Sequence, residues 1–235
     1  MTIPVVSTTG YVKMKIIIAA LFKFYFIRVL KGRYISIEEP SKGRFSKRKL
    51  KEIYEKIKRE KNKLQLKPEA VLCKSHGNRL MVYCGALSLA AYRGMRNEGL
   101  SHQYATLLVA DVVWKLYILG AKAVWIVTRL ISSIPQKRLN IALRILCKYP
   151  FNADPAGYQF TLHTMPDHLA TDFTQCAVHQ YMKITGSDEE MDFFRNSWCR
   201  YDFALPGYLI KGGHYKRKHT LSHGDSVCDM KWYAK

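Results

Sequence analysis

Acidic residues are scarce in this 235-residue chain: 18 Asp and Glu stand against 38 Lys and Arg, for a net charge of +20. That shortage disfavours cationic partners and favours anions: nucleic acid, acidic lipid or a negatively charged small molecule. Long apolar runs are also missing. The longest uninterrupted one in residues 13–31 (KMKIIIAALFKFYFIRVLK) covers only residues 16–22 before Lys23 and then Arg28 interrupt. A spanning helix needs ~20 predominantly apolar residues, so a span is not expected here. Cysteines number six, and no two form a CxxC pair, which argues against structural zinc. No signal peptide with a small-residue cleavage site is visible, so free thiols in a reducing cytoplasm are expected. Internal repeats and low-complexity segments are absent as well.

What charge there is sits unevenly. Residues 1–67 hold 18 Lys and Arg against 5 Asp and Glu, so this segment carries +13 of the total. It reads as a basic N-terminal segment of amphipathic or interfacial helices, followed by an α+β domain over residues 68–235. The aromatic and basic residues of 13–31 suit an interfacial helix, with packing on the protein's own core as the alternative. Ser46 can cap a second helix with apolar positions Leu50, Ile53, Ile57 and Leu64, supported by Glu52–Lys56 and Glu55–Arg59 pairs and stopped at Pro68. Only Tyr54 stands among its Lys and Arg, short of the aromatic interleaving that single-strand binding uses, so nucleic acid is an unlikely partner. An anionic membrane surface met through residues 13–63 is the better expectation, giving a cytoplasmic protein peripheral to the inner face of the membrane.

Residues 71–95 have helical texture, with Gly99 in a C-cap position. Ser101 opens the longest regular element, which runs to Ile134 before Pro135. Its charges Asp111, Lys115, Lys122 and Arg129 fall on one stripe and nearly everything else is apolar, the pattern of a long central helix with one wet edge. Beyond Pro150 the texture turns to aromatic–polar alternation with Gly and Pro punctuation. Strands are expected at 160–165, 208–210, 215–221 and 227–233, and helices at 136–149, 174–183 and 189–202. The fold class is therefore α+β: a helical N-terminal two-thirds with a long apolar central helix, packed on a small C-terminal antiparallel sheet.

Chemistry concentrates in the last 60 residues. A hairpin centred on Gly224 sets His219 or Thr220 opposite Asp229, with the register left open. Alternation puts Arg217 and His219 on one face, while Cys228 and Asp229 point to opposite faces. A thiol, an imidazole and a carboxylate within reach are the parts of an activated cysteine nucleophile. Arg217 could lower a thiolate pKa or hold a substrate carboxylate in bidentate fashion. Inert burial is the competing reading for each cysteine.

The run RKHTLSHGDSVCDM at residues 217–230 resembles the terminal signature of the L-2-amino-thiazoline-4-carboxylic acid hydrolase family: an Arg, a Thr three residues on, a Gly, then Cys-Asp. Cys199-Arg-Tyr-Asp202 is similar to that family's Cys-x-x-Asp, and Cys176 falls where the family has a cysteine at a helix start. GALSLAAYRGMRNEGLS looks like its alanine-rich helix. The likeness covers roughly residues 73–235 and is strong only over 176–232. Met230 departs from it, standing where an aromatic residue is commoner. The resemblance implies ring-opening hydrolysis of a cyclic amidine, 2-amino-thiazoline-4-carboxylate, to an N-carbamoyl amino acid, and so a small-molecule carboxylate substrate. It carries over Cys176, Cys199, Asp202, Arg217, Thr220, Cys228 and Asp229. With His219 these divide into catalytic (Cys228, Asp229, Cys199, Asp202, Cys176, His219) and substrate-binding residues (Arg217, Thr220), with no metal or cofactor expected. The competing class is a non-catalytic membrane-surface or small-ligand-binding protein on the same fold.

Overall fold

The computed structural model describes residues 8–64 and 73–235. The expected boundary at 67/68 and the stop at Pro68 lie outside the described residues. Helix α1 (Thr8–Leu30) is followed by α2 (Lys47–Lys63), α3 (His76–Arg96), α4 (His102–Ile131) and α5 (Pro135–Lys148). Strands β1 (Gln159–Thr164) and β2 (Leu169–Gln175) precede helices α6 (Ala177–Thr185), α7 (Asp188–Ser197) and α8 (Tyr201–Leu209), and then come β3 (His214–Lys216) and β4 (Cys228–Tyr233). The four strands form one antiparallel sheet in the order β1-β2-β4-β3. The fold is α+β, as the sequence pattern implies.

Serines cap the starts of α2, α3 and α4. The N–H groups of Lys49, Asn78 and Tyr104 donate to the hydroxyls of Ser46, Ser75 and Ser101, satisfying donors that have no carbonyl partner inside the helix. Gly99 closes α3 with φ +86, a conformation that disfavours residues bearing a Cβ. On α2 the apolar spacing holds, with Leu50, Ile53 and Ile57 buried. Lys56, expected to pair with Glu52, reaches Glu98 instead at 2.6 Å, where Lys49 also binds. Glu98 is the more buried acceptor at 10% exposure, so the cation is screened less there.

α1 belongs to the core: Phe22, Phe26 and Leu30 are fully buried in one cluster with α2, α3 and α4. Its opposite face leaves Ile16, Ile17 and Phe24 half exposed or more. The 30-residue α4 is the longest helix, with a buried first half (Leu108, Val109, Val112) and an exposed second half (Leu119, Ile126, Leu130). The most enclosed position belongs to α3, where small residues let neighbours approach from every side. Among the described residues no helix is long and apolar enough to cross a membrane.

Two devices hold the C-terminal half to α3, one at the entry to β1 and one on α7. Asn78, fully buried, donates through Nδ2 to the carbonyl of Asn152 at 2.9 Å and accepts the Tyr158 N–H at 2.6 Å. A Cβ at Gly157 would stand 1.9 Å from the Asn78 Oδ1, so only glycine fits there. At the other end, Arg93 binds Glu190 through Nε at 2.5 Å and Nη2 at 2.9 Å, while Glu190 completes a capping box with Ser187.

Three elements differ from the sequence expectation. β2 is a strand that the pattern LATDFTQ did not announce; its inward residues are Leu169, Thr171 and Phe173. Of residues 208–210, expected as a strand, Tyr208 and Leu209 finish α8, which tolerates Pro206 inside it, and Ile210 follows as its C-cap. The strand expected at 215–221 ends at Lys216, and residues Leu221–His223 form a 3-10 turn.

Candidate active site: a thiol-lined cavity

Alternation along the two central strands builds one wall of a cavity of about 110 Å³. Thr171 and Phe173 of β2 and Cys228, Met230 and Trp232 of β4 face it. Cys176 at the start of α6, Cys199 in the turn before α8, and Asp202 on α8 line it as well, together with Arg217 and Thr220 from the segment after β3. Six of the eight residues singled out from the sequence therefore meet in one space, although up to 52 positions separate Cys176 from Cys228 in the chain.

A chain of polar contacts connects them. Cys228 Sγ accepts the Leu221 N–H at 3.2 Å and lies 3.3 Å from Thr220 Oγ1. Thr220 Oγ1 is 3.3 Å from Ser222 Oγ, which is 3.5 Å from Cys199 Sγ. Arg217 Nη1 donates to Asp202 Oδ2 at 3.2 Å, and Nη2 donates to the Cys199 carbonyl at 3.5 Å. The guanidinium also lies over the rings of Phe203 and Tyr215. Cys176 is the N-cap of α6, its Sγ taking the His179 N–H at 3.5 Å.

Burial controls the electrostatics. It pushes the Cys176 thiol up to about 12 against the His179 N–H, and it pushes Cys199 to about 12 with Asp202 adding to the rise. Cys228 is also raised by burial, but the Thr220 hydroxyl, the Leu221 N–H and the Arg217 cation all oppose the rise. These three favour a thiolate, and no other cysteine in the cavity has an equivalent set. Asp202 is lifted to about 6 by burial, with Arg217 pulling the other way. A carboxyl titrating there can exchange protons near neutrality.

Two expected residues stand elsewhere. His219 and Asp229 do not line the cavity. Asp229 follows Cys228 on a strand and so points to the opposite face, where it pairs with Asp172 of β2. Its carboxylate accepts the backbone N–H groups of Lys218 at 2.9 Å and His219 at 2.6 Å, and lies 3.2 Å from the exposed His219 ring. It is a clamp on the segment that carries Arg217 and Thr220, outside the reacting space. Conversely, the cavity includes residues that sequence reasoning passed over. His179 faces it and is kept neutral by burial and by Lys183 and Arg195. Ser222 bridges Thr220 and Cys199, and the Tyr158 hydroxyl contacts the Cys176 thiol. The spacing Cys176-x-x-His179, one turn at a helix start, was the available signal for His179. The Trp198 indole N–H is buried with no acceptor among the described residues.

Among the described residues no group of three or more His, Cys, Asp or Glu is placed to hold a metal ion. No family model, curated protein or solved structure matches this chain.

Proposed function

We propose that the cavity is the active site of a hydrolase that opens a cyclic amidine bearing a carboxylate, of the 2-amino-thiazoline-4-carboxylate type. The observation that supports this most is the meeting of Cys228, Asp202 and Arg217 around one space. The substrate carries both charges that these groups complement. Its carboxylate pairs with the Arg217 guanidinium, and its amidinium sits against the Asp202 carboxylate and the thiol. The amidinium adds a second cation to the one Arg217 already sets near the thiol, so binding favours the thiolate further.

Cys228 is the nucleophile in this reading. Its proton passes to the Asp202 carboxylate as sulfur adds to the amidine carbon of the ring. The ring C–S bond breaks, and the departing sulfur takes the proton back from Asp202. Water then adds to the same carbon, its proton again going to Asp202. The Cys228 thiolate leaves and is reprotonated, and the water oxygen becomes the carbonyl of an N-carbamoyl amino acid. Thr220, the Leu221 N–H and Arg217 stabilise the thiolate whenever it is free, and Cys176, Cys199 and His179 shape the cavity around the ring.

The test is turnover of 2-amino-thiazoline-4-carboxylate and its ring homologues, followed by appearance of the carbamoyl product. Wild type should turn over and Cys228→Ser should not, while Arg217→Lys should raise KM more than it lowers kcat. Full activity in Cys228→Ser, or no turnover of any cyclic amidine carboxylate by wild type, would refute the reading.

A further inference from the structure

A second, larger cavity of about 440 Å³ lies among the helices, framed by α1, α3, α4 and α5. Its wall is almost wholly apolar: Phe22, Leu80, Leu87, Leu116, Val124 and Ile145 are representative. Leu119, Gly120, Lys148 and Tyr149 line it and are exposed, so they mark its mouth. Among the described residues Lys148 is the one charged side chain in the lining.

An apolar cavity of ~150 Å³ is enough to hold benzene and excludes water, because water finds no partners there. This one is about three times that size, room on the same scale for roughly 18 carbon atoms. We propose that it binds a single long acyl chain, with the anionic end group of that chain held at the mouth by Lys148. The charge argues the end group, and the volume and lining argue the chain. Six side chains, Met81, Tyr117, Leu146, Phe151, Trp198 and Leu205, face both this cavity and the thiol-lined one, so an occupant presses on their shared wall. The proposal does not depend on the chemistry of Cys228.

The test is displacement of a fluorescent fatty acid from the full chain by saturated carboxylates of increasing length, with the matching alcohols alongside. Affinity should tighten about fourfold per added methylene until the cavity is full. A Cβ at Gly120 meets nothing within 4 Å, so Gly120→Trp fits the backbone while crowding the mouth, and it should weaken binding at least tenfold. Lys148→Glu, at an exposed position, should weaken the carboxylates and leave the alcohols unchanged. Uptake of monomeric carboxylate from solution identifies a free fatty acid as the source. Extraction from phospholipid vesicles with no uptake from solution identifies a membrane lipid. Failure of both, or binding that ignores chain length, overturns the proposal. Should Gly120→Trp not fold, the chain-length series on wild type and Lys148→Glu decide.

Discussion

Arg217 donates to Asp202 at 3.2 Å, yet burial outweighs this cation and leaves the Asp202 carboxyl at about 6. As the proposed base it works ionised, so turnover should rise with pH through about 6 and level off above it. The stability consequence has the opposite sign. A raised carboxyl contributes stability below its ordinary value of 3.8 that is lost as pH rises through about 6, roughly 3 kcal/mol in all. Denaturant unfolding of wild type and Asp202→Asn between pH 4 and 8 should therefore show wild type gaining on the variant as pH falls. A constant difference would mean that Asp202 titrates normally.

Replacing each thiol in turn separates chemistry from packing. Cys228→Ser should abolish turnover yet stay within about 1 kcal/mol of wild type in unfolding, because serine can still accept the Leu221 N–H. Cys176→Ser and Cys199→Ser should retain turnover at reduced rate. If Cys228→Ser loses activity only in proportion to lost folded protein, the thiol is structural.

Asp229 should matter to the fold first. Burial pushes its carboxyl up, but the N–H groups of His219 and Lys218 outweigh that and hold it below its ordinary value. The associated stability is present above 3.8 and is lost as pH falls through the lower folded value. Asp229→Ala should cost roughly 2 kcal/mol at pH 7, measured by denaturant unfolding. No change in stability would contradict the clamp.

The Arg93–Glu190 pair fastens α3 to α7 with two hydrogen bonds, with 27% and 11% of the side chains exposed. Removing the arginine strands a carboxylate that still caps α7. Arg93→Ala should cost roughly 3 kcal/mol, and Glu190→Gln less, since the amide can still accept. Equal and negligible losses would show that solvent already satisfies both groups.

Membrane contact remains the proposal for the basic segment, now with a particular face. Ile16, Ile17 and Phe24 project from α1 beside Lys13 and Lys23, while the other side of the helix is in the core. The full chain should co-sediment with acidic vesicles and release as salt rises. Ile17→Asp with Phe24→Asp should abolish this without unfolding the chain. Unchanged sedimentation in that double variant would place the contact elsewhere.

Much of this architecture was legible in the sequence, and the gaps have physical causes. Helix starts at Ser46, Ser75 and Ser101 follow from local capping, so short-range pattern finds them or permits them. β2 escaped because LATDFTQ becomes a strand only through β1 and β4 on either side. The length of α4 suggested the centre of the fold, but enclosure depends on neighbours, and the small residues of α3 admit more of them. In the site, alternation separated Cys228 from Asp229, yet which of the two faces the cavity needed the register with β2. Ser222 enters through the path of the chain between elements, which no local pattern specifies, whereas His179 follows Cys176 by one turn of α6.

The most direct measurement of the cysteine-centred account is rapid-quench mass spectrometry of the chain during turnover of 2-amino-thiazoline-4-carboxylate, with peptide mapping. The account predicts a transient adduct equal to the whole mass of the substrate on the peptide containing Cys228, absent from Cys228→Ser. Steady product formation with Cys228 unmodified at every time point would contradict it.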